Sequence, residues 1–200
     1  MSIRFWPAVR QLRARYKHHG VLAYPTESCF GLGCNPISPL GLKRLLRLKG
    51  RPQHKGMIVI AASLAQLRPL LAPLGEQDVA ILSRFWPGPF TFLLPAATSV
   101  LPLLRGKHQT LAVRVTAHPQ ASTLCKYLGP LVSTSANKAG QPSLRTHRAC
   151  VRTFGQHATV IRGLTGKMHN PSSIIDFATG RVLRGHVSEE LLQLLKNRTR

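Results

Sequence analysis

The chain has 200 residues, of which 44% are hydrophobic. That is enough for one domain with its own core and excludes a disordered basic tail. No apolar run approaches the ~18–20 residues needed to cross a bilayer. Lys and Arg number 28 against 6 Asp and Glu, a net charge of +22. The acids are Glu27, Glu76, Asp78, Asp176, Glu189 and Glu190. So few carboxylates leave little room for a two-metal nuclease or a glycosidase, and the positive surface points to an anionic partner: a nucleotide, RNA or an acidic membrane.

The first six residues lack the apolar stretch of a secretory signal. Their Arg-rich, acid-poor character is that of a transit peptide, but Trp6, Val9, Leu12 and Tyr16 recur at helical spacing and predict a helix over about 5–19. Residues 21–25 read as a buried strand and 26–35 as a loop carrying Gly31 and Gly33. Ser38-Pro39 opens a helix whose buried side is Leu42, Leu45 and Leu46, and Gly50 ends it. A strand at 57–62 precedes helices at 64–71 and 76–85, and Trp86-Pro87-Gly88-Pro89 breaks the second. Trp86 reads as a core anchor. A strand at 91–95, a loop through Gly106, a strand at 111–115, a helix at 119–128 and a strand at 131–134 follow. Beyond them come a helix at 145–154, strands at 159–162, 173–177 and 181–184, and a last helix at about 188–197. Ser188 caps that helix, with Glu189 and Glu190 in its first turn and Lys196 and Arg198 near its end, the charge order that suits the helix dipole. Strands alternating with helices over residues 1–200, without linker or repeat, predict a single α/β (α+β) domain whose strand order the pattern does not fix.

Cys29, Cys34, Cys125 and Cys150 form no C-x-x-C pair and no zinc spacing, and they read as free thiols of a reducing, cytoplasmic compartment. Three polar clusters follow predicted strands, where open α/β sheets place ligands. Tyr24-Pro25-Thr26-Glu27-Ser28-Cys29-Phe30-Gly31-Leu32-Gly33 offers hydroxyls on a glycine loop, although an ordinary turn has the same pattern. Lys49-Gly50-Arg51-Pro52-Gln53-His54-Lys55-Gly56 sets three cations in a stiffened loop suited to phosphate oxygens, or to solvent. Ser133-Thr134-Ser135-Ala136-Asn137-Lys138-Ala139-Gly140-Gln141-Pro142-Ser143 crowds uncharged donors at a strand end, fit for a nucleotide or for a polar turn. No G-x-S-x-G elbow surrounds Ser133 or Ser135, which argues against a serine hydrolase.

Taken together, residues 24–33, Lys49-x-Arg51 within 48–61, residues 86–92, Ala112-Val113-Arg114-Val115 within 111–119, and Ser135-x-Asn137 within 131–140 resemble the YrdC family, in that family's order and over about residues 9–185. The chain is similar to the family's short form, with no room for the C-terminal domain of the longer one. The resemblance implies a single twisted mixed sheet with flanking helices and an open, positively charged concave face. It implies that L-threonine, bicarbonate or CO2, and ATP with Mg²⁺ give L-threonylcarbamoyladenylate and pyrophosphate. A threonylcarbamoyl-transfer protein complex then modifies position 37 of tRNAs reading codons that begin with A, with tRNA itself as a partner and no membrane. Residue by residue, it implies that Lys49, Arg51, Ser135 and Asn137 surround the phosphates and the reacting carbamate. Thr26 and Arg114 fall at the threonine pocket, and Ser173 and Arg184 at the nucleotide. No protein carboxylate is expected to hold the metal. Gly50, Lys55 and Ser28 vary from some relatives, and none of these is a motif residue. The competing reading from charge alone is a non-catalytic module that binds double-stranded RNA, tRNA or the ribosome through phosphates.

Overall fold

The computed structural model describes residues 9–198; Trp6 and the rest of the predicted first helix before Val9 lie outside the described residues. In chain order the elements are α1 (Val9–Lys17), β1 (Leu22–Pro25), β2 (Phe30–Gly33), α2 (Pro39–Lys49), β3 (Ile58–Ala61), α3 (Leu64–Leu67), α4 (Glu76–Phe85), β4 (Phe90–Pro95), α5 (Pro102–Arg105), β5 (Thr110–Val115), α6 (Pro119–Leu128), β6 (Leu131–Ser135), α7 (His147–Phe154), β7 (Thr159–Val160), β8 (Ser173–Asp176), β9 (Val182–Arg184) and α8 (Glu189–Arg198). Single 3-10 turns follow α2 at Gln53–Lys55 and α3 at Arg68–Leu70.

The strands form one mixed sheet in the order β7-β1-β2-β6-β3-β5-β4-β8-β9. Three neighbouring pairs are parallel (β7 with β1, β3 with β5, β4 with β8) and the other five are antiparallel. Side chains along a strand point alternately to the two faces, and here the faces have different fates. Leu32, Val59, Phe92, Val113, Val132 and Ile175 pack into a large core with Leu42 and Leu45 of α2, Leu82 of α4, Phe154 of α7 and Leu191 of α8. Leu22, Tyr24, Ile60 and Leu131 point the other way, into a smaller core with Leu12 and Tyr16 of α1 and Leu124 of α6. The rest of that second face, from Ser133 across Ile58, Ala112 and Leu93 to Ile174, lines an open cleft.

Local chemistry explains the ends that frame the cleft. Ser38 Oγ accepts the Gly41 N–H at 2.9 Å, Pro39 occupies the first turn, and Gly50 at φ 62° closes α2 and delivers the chain into the basic loop. Thr146 caps α7 in the same way, so that helix starts at His147, two residues later than its apolar pattern suggests. The largest difference from the sequence reading lies at residues 26–35, where β2 takes four residues of the expected loop and makes a hairpin with β1. Its glycines lower strand propensity, yet the sheet requires one of them: a Cβ at Gly33 would stand 1.8 Å from the Val132 carbonyl oxygen. The loop through Gly106 contains the short α5, and the helix at 64–71 yields to a 3-10 turn where Pro69 enters. Trp86 is buried, its indole N–H donating to the Phe90 carbonyl at 2.7 Å. Cys34, Cys125 and Cys150 are buried free thiols pushed up to about 12 by burial, whereas Cys29 is half-buried on the cleft wall.

Candidate active site

The cleft encloses about 570 Å³. Its floor is the sheet, through Ile58, Ala112, Arg114 and Ser133; its walls are the turn after β1, the basic loop, α5, β9 and the segment before β8. Arg51, Lys55, Arg105, Arg114, Arg145 and Arg184 reach the wall, with His108 and His169, and no Asp or Glu does. Such a hollow concentrates anions.

The Lys49 ammonium, buried behind this wall at the end of α2, ties two elements together. It donates to the Ser135 carbonyl at 2.6 Å, to Asn137 Oδ1 at 2.7 Å and to the Asn137 carbonyl at 3.1 Å, with Ser135 Oγ 3.3 Å away. Ser135 Oγ donates to Asn137 Oδ1 at 2.7 Å, and the Asn137 amide donates to the Gln141 carbonyl at 2.6 Å. Burial first, and the neighbouring Arg51 charge second, pull Lys49 down to about 8. Of the four residues in the two motifs, Arg51 and Ser135 line the cleft, while Lys49 and Asn137 brace Ser135 from behind. The Arg51 guanidinium is fixed by a fork on the Gly56 carbonyl, Nε at 3.0 Å and Nη2 at 2.8 Å, which leaves other N–H groups for a ligand.

Arg184 is held in the same manner, with Nε and Nη2 on the Ser172 carbonyl at 3.0 and 2.9 Å. Ser172 lines the cleft; Ser173 turns away, its Oγ donating to the His186 carbonyl at 2.6 Å. The alternation of strand residues puts one serine of the pair on the cleft face, and the bulge of β8 against β9 lies just beyond it. Thr26 lines the cleft with its hydroxyl donated to the Cys29 carbonyl at 2.8 Å. Arg114 is nine-tenths buried and its Nη1 lies 3.1 Å from Oε2 of the equally buried Glu27. Burial raises the Glu27 carboxyl, but Arg114, a backbone N–H, Thr116 and His118 outweigh it and hold the group below its ordinary 4.5.

The sequence reading missed Glu27, Arg105, Arg145, His108 and His169. Arg105 and Arg145 sit in stretches without a motif, and only the sheet order brings them to one hollow. Among the described residues no three His, Cys, Asp or Glu side chains gather as a metal site.

A mixed sheet with one face buried and part of the other open as a basin lined by arginines and hydroxyls, without Asp or Glu, defines an α/β protein with a hollow suited to anions. The chain belongs to the Sua5/YciO/YrdC family, described as "Telomere recombination", which matches residues 15–186. A threonylcarbamoyl-AMP synthase of Laribacter hongkongensis is 59% identical over 175 residues, 88% of this chain and 95% of that protein. One of Chromobacterium violaceum is 53% identical over 176 residues, 88% of this chain and 91% of that protein. The crystal structure of P. abyssi Sua5 complexed with L-threonine superposes with a TM-score of 0.84 at 31% identity, over 93% of this chain and 56% of that one. No helix among the described residues is long and apolar enough to cross a membrane.

Proposed function

We infer that this chain is an enzyme that forms L-threonylcarbamoyladenylate and pyrophosphate from L-threonine, bicarbonate or CO2, and ATP, the first step of N6-threonylcarbamoyladenosine formation in tRNA. The carrying observation is the 59% identity to a threonylcarbamoyl-AMP synthase of which this chain covers 95%. The cleft suits the chemistry. The threonine amine adds to CO2 to give a carbamate with loss of a proton. A carbamate oxygen then attacks the α-phosphorus, and the P–O bond to pyrophosphate breaks. The substrate supplies the nucleophile, so no activated Ser or Cys is needed, and the protein's tasks are positioning and charge stabilisation.

In this reading Arg51 and Ser135 address the phosphates, Arg184 the nucleotide, and Thr26 and Arg114 the threonine. Lys49 and Asn137 hold Ser135 in place. Magnesium enters with ATP as part of that substrate, held by phosphate oxygens and water. The basic exterior provides for tRNA contact and for transfer of the product by a partner complex.

The test is incubation of the protein with ATP, Mg²⁺, threonine and ¹³C-bicarbonate, with mass spectrometry of the products. Labelled threonylcarbamoyladenylate is expected; tRNA binding without any such product would favour an RNA-binding module instead. Arg51→Ala is expected to lower kcat by about 10²–10³ while leaving the thermal unfolding curve in place.

A further inference from the structure

We propose that Glu27, which does not touch the cleft, is a positioning residue that orients Arg114 for the threonine carboxylate. The proposal rests on the reading of Arg114 given above. Glu27 Oε1 accepts from Thr116 Oγ1 at 2.8 Å and from the Ala117 N–H at 3.1 Å, both just past the end of β5. This anchors the carboxylate on the chain that follows Arg114, and Oε2 is left facing Arg114 Nη1 at 3.1 Å.

The guanidinium is thereby held at its Nη1 end. Its Nε and the facing Glu27 Oε2 are both buried without a hydrogen-bond partner, so the pair is held by charge. Arg114 lines the cleft, so with Nη1 fixed by Glu27 its remaining Nη N–H groups are what it offers a carboxylate there. Glu27 also belongs to the turn that carries Thr26. The Thr26 and Glu27 carbonyls accept the Gly166 and Met168 N–H groups at 2.9 and 3.1 Å, and a Cβ at Gly166 would stand 2.5 Å from the Glu27 oxygen. One short turn therefore sets both Thr26 and, through its carboxylate, Arg114.

Calorimetric titration of L-threonine and, separately, of ATP into wild type, Glu27→Gln and Thr116→Val tests this. Gln keeps the Oε1 acceptor and removes the charge facing Arg114. Glu27→Gln is expected to weaken threonine at least ~10-fold with ATP affinity unchanged, because a misaimed guanidinium loses its contact with the carboxylate. Thr116→Val keeps both charges and removes the shorter of the two hydrogen bonds that anchor Oε1, and is expected to weaken threonine about threefold or more. Should Glu27→Gln fail to fold, Thr116→Val decides. Threonine affinity within twofold of wild type, or equal losses for threonine and ATP, overturns the positioning role while the functional reading stands. A wild type that binds ATP but not threonine overturns that reading and this inference with it.

Discussion

Lys49 carries its charge where solvation is poor. Burial and the adjacent Arg51 have brought it down to about 8, so it loses its proton near the top of the physiological range. The neutral amine has fewer protons to donate to Ser135 and Asn137 and adds no field to the cleft. ATP affinity should therefore be level up to about pH 7 and fall as pH rises through about 8; an affinity that stays flat to pH 9.5 contradicts the role given to this side chain. Glu27 has the opposite sign. Its folded-state carboxyl lies below the ordinary 4.5, so its stabilisation is complete above that pH and is lost as pH falls below it. Acid unfolding of Glu27→Gln followed by circular dichroism should accordingly be shallower than that of wild type. At this scale the sequence spoke unevenly. Lys49, Arg51, Ser135 and Asn137 are named through the family resemblance, whose two short motifs they match; by themselves the two clusters read equally as a solvated loop and a polar turn. The Glu27–Arg114 pair is not legible, since a lone acid in a glycine turn says nothing about which distant strand will face it.

The elements were legible where periodicity and caps agree. Ser38, Pro39 and Gly50 mark α2 to the residue, and the 119–128 helix matches α6. They were not legible where tertiary packing overrides propensity. Phe30-Gly31-Leu32-Gly33 reads as a loop from its glycines, yet it is a fully buried strand between β1 and β6. Gly33 has no Cβ because the Val132 backbone passes through that space. Gly33→Ala should destabilise the fold by about 3 kcal/mol, read as the shift in denaturant midpoint, since the obstacle is backbone and cannot rotate away. A loss below ~1 kcal/mol means that β2 and β6 separate easily and that Ser135, on the same strand, is not held as firmly as the Lys49 network implies.

Over the whole molecule, the charge is not spread evenly. Four of the six acids, Glu76, Asp78, Glu189 and Glu190, lie in the first turns of α4 and α8. There Glu190 pairs with Arg84, and Asp78 with Arg198 at 2.8 Å. These helices pack on the core face, so among the described residues Arg114, paired with Glu27, is the one cleft cation with a carboxylate partner. Net charge was legible from composition; this segregation was not, because it depends on which helices cover which side of the sheet. The account's central claim is that the cations aimed into the cleft, rather than the overall excess of +22, bring the anionic reactants together. The most direct measurement compares ATP affinity in Arg51→Gln, on the cleft wall, with that in Arg152→Gln, exposed on α7, at one ionic strength. Both variants lose the same charge. The account predicts at least ~10-fold weaker binding for the first and less than ~2-fold for the second, the long-range share being screened by salt; equal losses would contradict it.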